Sequence, residues 1–288
     1  MRGYDVRLPD DRPFFERSAI GRPVLTDERR TMDFSGTFVL LLAACGVILA
    51  ADSMFFKARR RRGTDGAAAP EPPLVYYARS FFPVVLIVLL VRSFVFEPFR
   101  IPSASMMPGL VDGDFIFVDK FSYGLRLPVI NTKILSIGEP RRGDVIVFRL
   151  PSNPSVHFIK RLIGLPGDHV LVRDNRIAIN GVPVPLQADG VYSGGYGFTG
   201  APLGLERFGA TQHVVMFAPD REAKDFDTVV PAGHYFFMGD NRNDSADSRF
   251  PLVGFVPEQN LDGPAVRIWM NWRIPGWPDW RRIGMRIH

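Results

Sequence analysis

Arg176-Ile177-Ala178-Ile179-Asn180-Gly181-Val182-Pro183-Val184-Pro185-Leu186 reads as two short apolar runs joined by Asn-Gly. Asn-Gly suits the two left-handed positions of a two-residue hairpin turn, and the flanking runs alternate as strands do. Working outward, short apolar stretches recur between Gly, Pro, Asn and Asp at 115–118, 144–150, 156–163, 169–172, 214–217, 235–238 and 266–269. Helical periodicity is almost absent after residue 97. Strands of this length and spacing predict a mainly β chain of antiparallel sheets, folded as a sandwich or barrel. The Gly- and Pro-rich stretch at about 183–233 reads as a looser part of an insert spanning about 170–235.

The composition agrees. Gly 27 and Pro 25 in 288 residues favour turns without implying disorder. A single cysteine excludes an internal disulfide framework and a Cys-rich metal site. A net charge of +5 is a mild basic excess, which gives no sign of a nucleic-acid partner. Mean hydropathy is +0.03, high for a soluble chain, and the excess lies near the N-terminus.

Residues 34–51 form an uncharged run of 18 residues. At ~1.5 Å per residue this crosses most of a ~30 Å hydrocarbon core. A cleaved signal peptide is the competing reading, but Asp52 and the basic run after it do not resemble a cleavage site. Cys45 is then a small apolar residue of the span. A second, shorter span is expected at 80–96, with Pro83 in its first turn. The loop 52–79 holds Lys57, Arg59, Arg60, Arg61, Arg62 and Arg79 against Asp52, Asp65 and Glu71. That bias places the loop in the cytoplasm and residues 97–288 outside. Residues 1–33 carry arginines and acids without apolar periodicity and are expected to be disordered; Met32 is an alternative start.

Three segments carry chemistry. In Ile101-Pro102-Ser103-Ala104-Ser105-Met106-Met107-Pro108, an extended backbone puts Ser103 and Ser105 on one face. In Val156-His157-Phe158-Ile159-Lys160-Arg161-Leu162, a strand places Lys160 between Phe158 and Leu162 on one face. Desolvation there favours the free amine, at a cost on the order of 3–5 kcal/mol. In Gly239-Asp240-Asn241-Arg242-Asn243-Asp244-Ser245-Ala246-Asp247-Ser248-Arg249, the acidic density invites a calcium loop. Arg242 and Ser245 occupy the third and sixth positions from Asp240, so the EF-hand pattern fails and no metal or other cofactor is expected. Ordinary readings compete at each segment: a polar turn, a surface lysine and a solvated loop.

In this order after a membrane anchor, the three segments together with Arg142-Gly143-Asp144-Val145-Ile146-Val147-Phe148 resemble the bacterial type I signal peptidases (leader peptidases). The resemblance implies an antiparallel β catalytic domain anchored by two N-terminal transmembrane helices. It also implies a serine–lysine endopeptidase of the bacterial plasma membrane that removes signal peptides from exported preproteins at the outer face. Its partners are preproteins, membrane lipid and the secretion translocon. By matching position, Ser105 is the nucleophile, Lys160 the general base, Ser103 an oxyanion donor and Ser245 the group that orients the amine. Asp247 and Arg249 support the site. Phe99, Ile101, Pro102, Met106, Leu110, Val147, Phe158 and Ile159 line pockets for small residues of Ala-x-Ala type. The family usually has Asp-Asn where this chain has Asn243-Asp244. Alternative readings are an inactive membrane-anchored β-domain and a Ser-Lys enzyme of peptidoglycan or β-lactams. The latter's S-x-x-K is absent, because Pro108 stands three residues after Ser105.

The charge asymmetry is directly testable. Protease added to spheroplasts should degrade residues 97–288 and spare 52–79; the reverse pattern would overturn the orientation.

Overall fold

The computed structural model describes residues 34–56, 71–126, 133–218, 220–273 and 275–288. The expected N-terminal tail 1–33 and most of the basic loop, 57–70, lie outside the described residues.

Helix α1 (Phe34–Ala51) continues into a π-helical turn at Asp52–Phe56, and helix α2 spans Pro73–Phe94. Both are long and apolar enough to cross a membrane. They pack on each other, with Gly46 of α1 close to the ring of Phe82 in α2. Helix α2 begins seven residues before the expected position of 80, so Pro83 is interior rather than in the first turn. The first turn holds Pro73 instead, where the missing N–H has no helical partner to lose. The sequence reading missed this turn because Tyr76, Tyr77 and Arg79 interrupt the apolar run. Arg79 is paired with Glu71 at 2.5 Å, and the Ser80 hydroxyl donates to the Tyr76 carbonyl.

Beyond α2 the chain is strands. A seven-stranded antiparallel sheet has the order β1 (Phe96–Arg100), β2 (Asp114–Asp119), β16 (Leu261–Asn271), β5 (Val145–Leu150), β6 (Asn153–Gly164), β14 (His234–Met238), β15 (Val256–Pro257). A four-stranded sheet joins β13 (Phe226–Val229), β7 (His169–Arg173), β8 (Arg176–Ile179) and β9 (Val182–Pro183). A three-stranded sheet holds β10 (Leu186–Val191), β11 (Pro202–Phe208) and β12 (Thr211–Met216), and β3 (Leu125–Arg126) pairs with β4 (Lys133–Leu135). The Asn180-Gly181 turn lies between β8 and β9 with positive φ at both residues, as the hairpin reading requires. The expected looseness of 183–233 gives way to four further strands, β10 to β13, with Gly and Pro residues between them.

Strand β5 shows why the sheet is central. Nearly all of its residues are buried, so its two faces serve two cores. Val145 and Val147 pack with Ile101, Met106, Leu110, Ile159 and Ile268. Ile146, Phe148 and Leu150 pack with Leu162, Phe237 and Val256. A third core joins Ile163 of β6 and Phe236 of β14 to β7 and β8 through Val170, Val172, Ile177 and Ile179. Strand β6 therefore touches all three cores, which fixes its alternation firmly.

Two of the open edges lie side by side. Strand β1 pairs only with β2. Strand β14 covers β6 only from Arg161 to Gly164, leaving 153–160 with one partner, β5. The Phe99 ring on β1 lies 5.2 Å from the His157 ring on β6, so the two edges face one another.

Two glycines test the packing. A Cβ on Gly164 would lie 2.7 Å from Val170, 2.9 Å from Val230 and 3.0 Å from Phe236, so Gly164→Ala should destabilise by roughly 1–3 kcal/mol. Gly263 has φ +155 and its added Cβ would collide with the backbone carbonyl of Asp119, which cannot rotate away. Gly263→Ala should lower the melting temperature further than Gly164→Ala; two unchanged melting curves would contradict this packing.

Candidate active site

Ser105 lies just after β1 in a run of turns rather than the extended segment expected. The turn closes with Met107 N–H donating to Ala104 O at 3.0 Å and Leu110 N–H to Met106 O at 3.0 Å. The hydroxyls of Ser103 and Ser105 still converge, at 3.3 Å, because the turn rather than strand alternation brings them together. Ser105 is buried and Ser103 is exposed. The Ser105 carbonyl accepts from Asn241 N–H at 3.1 Å, which ties this turn to the loop after β14.

Lys160 enters from β6. It is 3% exposed, and its Nζ lies 2.6 Å from Ser105 Oγ and 2.9 Å from the carbonyl of Ile159. The Phe158 ring centroid is 5.4 Å from Nζ, as expected for side chains on one strand face. Burial pulls the amine down from 10.5 to about 8, against the pull of Asp247 and Asp240, which favour the ammonium. Arg161 points to the other face and is held by both oxygens of Asp240, at 2.8 and 2.7 Å, so its charge is already matched.

The loop 239–249 closes the site. Asp247 and Arg249 form a buried pair, with Arg249 Nε and Nη2 each 2.8 Å from the carboxylate. Asp247 also accepts from Gly239 N–H at 3.0 Å. Ser245 is buried, and its hydroxyl has no hydrogen-bond partner among the described residues. In place of the expected Ser245 contact, the Ile159 carbonyl fixes the direction of the amine. Gly239 is packed so tightly that an added Cβ would come within 2.5 Å of the Ser105 carbonyl and closer still to Ser245 Oγ. Asn243 is a buried hub: its amide donates to Arg221 O at 2.9 Å, and its Oδ1 accepts from Asn175 at 3.1 Å. Asp244 pairs with Arg221 nearer the surface.

The residues expected to line the pocket divide. Ile101, Met106, Leu110, Val147 and Ile159 belong to one buried cluster with Phe99 packed against it. Phe158 packs against the neighbouring cluster, and Pro102 is exposed. The sequence reading missed the Arg161–Asp240 clasp and the tight approach at Gly239. Only the Gly-Asp pair at 239–240, beside a strand, hinted at either.

Among the described residues, no histidine is hydrogen-bonded to Ser105. His157 lies against Asp262 and Phe99, His169 against Asp227 and His213 against Glu206. His234 meets the carbonyl of Ala232, and the carbonyl of His288 accepts from Arg161. The described residues also hold no group of His, Cys, Asp or Glu arranged for a metal ion.

The sequence matches the family described as "Signal peptidase, peptidase S26" over residues 74–270. A signal peptidase I of Pseudomonas fluorescens is 46% identical over an alignment of 217 positions, the match covering 70% of this chain and 76% of that protein. Signal peptidase I of Pseudomonas aeruginosa is 44% identical over 225 residues, covering 72% and 76%. A crystal structure of a signal peptidase I from Enterococcus faecalis, 33% identical, covers 45% of this chain and 98% of its own, with a TM-score of 0.31. On a match spanning more than half its length, and on relatives this similar, the chain belongs to the signal peptidase, peptidase S26, family.

Proposed function

We propose that this serine endopeptidase, which removes signal peptides from preproteins, cuts after small residues of Ala-x-Ala type with Ser105 as nucleophile and Lys160 as general base. The observation that carries the reading is the 2.6 Å approach of Nζ to Oγ between two buried side chains. In its neutral form the amine accepts the Ser105 proton as Oγ attacks the scissile carbonyl. The developing oxyanion is met by the Ser105 N–H and the Ser103 hydroxyl. The ammonium then returns its proton to the leaving amine, and water repeats the sequence on the acyl-enzyme. An inactive binding domain would have no use for an amine buried against a hydroxyl.

The substrate lies extended between the facing edges of β1 and β6, pairing its backbone as an added strand. Its small side chains meet the apolar wall of Phe99, Ile101, Met106, Leu110, Val147, Phe158 and Ile159 beside Pro102. Helices α1 and α2 both cross the plasma membrane, which leaves the β domain on the outer face, where the translocon delivers its substrates. Trp277 and Trp280, 91% and 70% exposed, meet the lipid headgroups.

The test is cleavage of an Ala-x-Ala preprotein in detergent. Ser105→Ala and Lys160→Arg should each lose at least about 10³-fold in kcat, since a guanidinium stays protonated and cannot accept the proton. A bulky residue before the cut should be refused. Full activity in Lys160→Arg, or efficient cleavage after Phe, would overturn the mechanism or the pocket respectively.

The pH dependence has a defined sign. The acid limb of kcat/KM should fall near pH 8, with activity lost as the amine protonates below it. For stability, the folded value of about 8 is below the usual 10.5, so between these values the unfolded chain binds a proton the folded chain lacks. The penalty is complete below pH 8 and fades as pH rises through that window. Lys160→Met should therefore be more stable than the parent at pH 7, by up to about 3 kcal/mol, with the gain shrinking towards pH 10. A variant no more stable at pH 7 would contradict the burial penalty.

A further inference from the structure

The insert between β8 and β13 contributes two buried charged or titratable groups that the chemistry above does not use. Glu206 on β11 and His213 on β12 are direct cross-strand partners, 1% and 6% exposed. Glu206 receives Arg242 in a two-pronged pair, Nη1 to Oε1 at 2.7 Å and Nη2 to Oε2 at 2.5 Å. His213 Nε2 lies 3.1 Å from the same carboxylate, and its ring stacks on Phe208. Arg242 is itself 1% exposed.

Arg242 belongs to the loop that holds the nucleophile. Its N–H donates to Met216 O at 2.9 Å, and Met216 N–H donates to Asp240 O at 2.8 Å, so β12 runs alongside residues 240–242. Between these two bonds sits Asn241. Its N–H donates to Ser105 O and its side-chain amide to Ala104 O at 3.3 Å. Met216 also packs on Met107, two residues beyond the nucleophile. A continuous path therefore runs from the insert sheet to the backbone of Ser105.

We propose that Glu206 and Arg242 are positioning residues for the peptidase reaction: the β10–β12 sheet, through this buried pair, sets the placement of Ser105 against Lys160. The inference rests on the serine–lysine reading above. Charge matching supports it. Asp240 is committed to Arg161 and Asp247 to Arg249, so Glu206 is the acid left to balance Arg242. Asp240 and Asp247 act on both Arg242 and Lys160, which places all three arginine–acid pairs in one electrostatic neighbourhood with the amine. Without the Glu206 charge, Arg242 draws on those two carboxylates and they support the Lys160 ammonium less. A pair that only held the insert in shape would leave the lysine's titration alone.

The experiment is Glu206→Gln in the full-length protein, assayed for preprotein cleavage across pH beside Ser105→Ala and Lys160→Arg. Folded protein should show kcat reduced by about ten- to a hundredfold with KM nearly held, as expected for a displaced nucleophile. Its acid limb should move to lower pH. Glu206→Asp keeps the charge but shortens the reach; it should lose kcat without moving the limb, and it serves if Glu206→Gln fails to fold. Wild-type kcat in both variants, or losses that only follow the folded fraction with an unmoved limb, would overturn the proposal. Activity surviving in Ser105→Ala or Lys160→Arg would instead strike the serine–lysine reading.

Discussion

An amine 3% exposed, pressed against a serine hydroxyl, is the constraint around which the rest of the domain is arranged. Bringing Lys160 from 10.5 to about 8 corresponds to roughly 3 kcal/mol of lost charge stabilisation. A free carboxylate beside the amine would cancel that shift by stabilising the ammonium. Two carboxylates are near, and each is taken by an arginine: Asp240 by Arg161 and Asp247 by Arg249. The arginines thus act indirectly, keeping both acids in the loop while limiting their pull towards the Lys160 ammonium.

That arrangement needs a strand whose alternation cannot slip. Lys160 and Arg161 are neighbours with opposite partners, one facing Ser105 and one facing Asp240. A shift of one residue would exchange them. Strand β6 is held in register by β5 along 157–161 and by β14 from 161 onward, and its residues feed three separate cores. The same rigidity leaves one stretch of β6 without a second strand on the side facing β1.

Close packing holds Ser105 in the same way. Gly239 lets the loop after β14 lie directly on the Ser105 carbonyl and on Ser245, where any side chain would force them apart. Asn241 then ties the same loop to the Ser105 turn. Few of these contacts are strong singly. Together they remove the freedom a surface serine would have.

The sequence alone determined the class of the fold, because alternation and turn chemistry are local: Asn180-Gly181 dictated a hairpin and the run at 156–163 dictated a strand carrying Lys160 beside Phe158. The two apolar helices were equally legible, apart from the early start of α2, which Tyr76, Tyr77 and Arg79 concealed. Ser105, Lys160, Asp247 and Arg249 were singled out through the order of their segments and their likeness to a known family. What only the tertiary structure decided is which groups meet. The pairing of Arg161 with Asp240, the Asn241 N–H on the Ser105 carbonyl and the reach of Glu206 into the loop all join residues far apart in sequence. Local propensity carries no record of such partners, because a buried charge is settled by whichever opposite charge the fold brings to it.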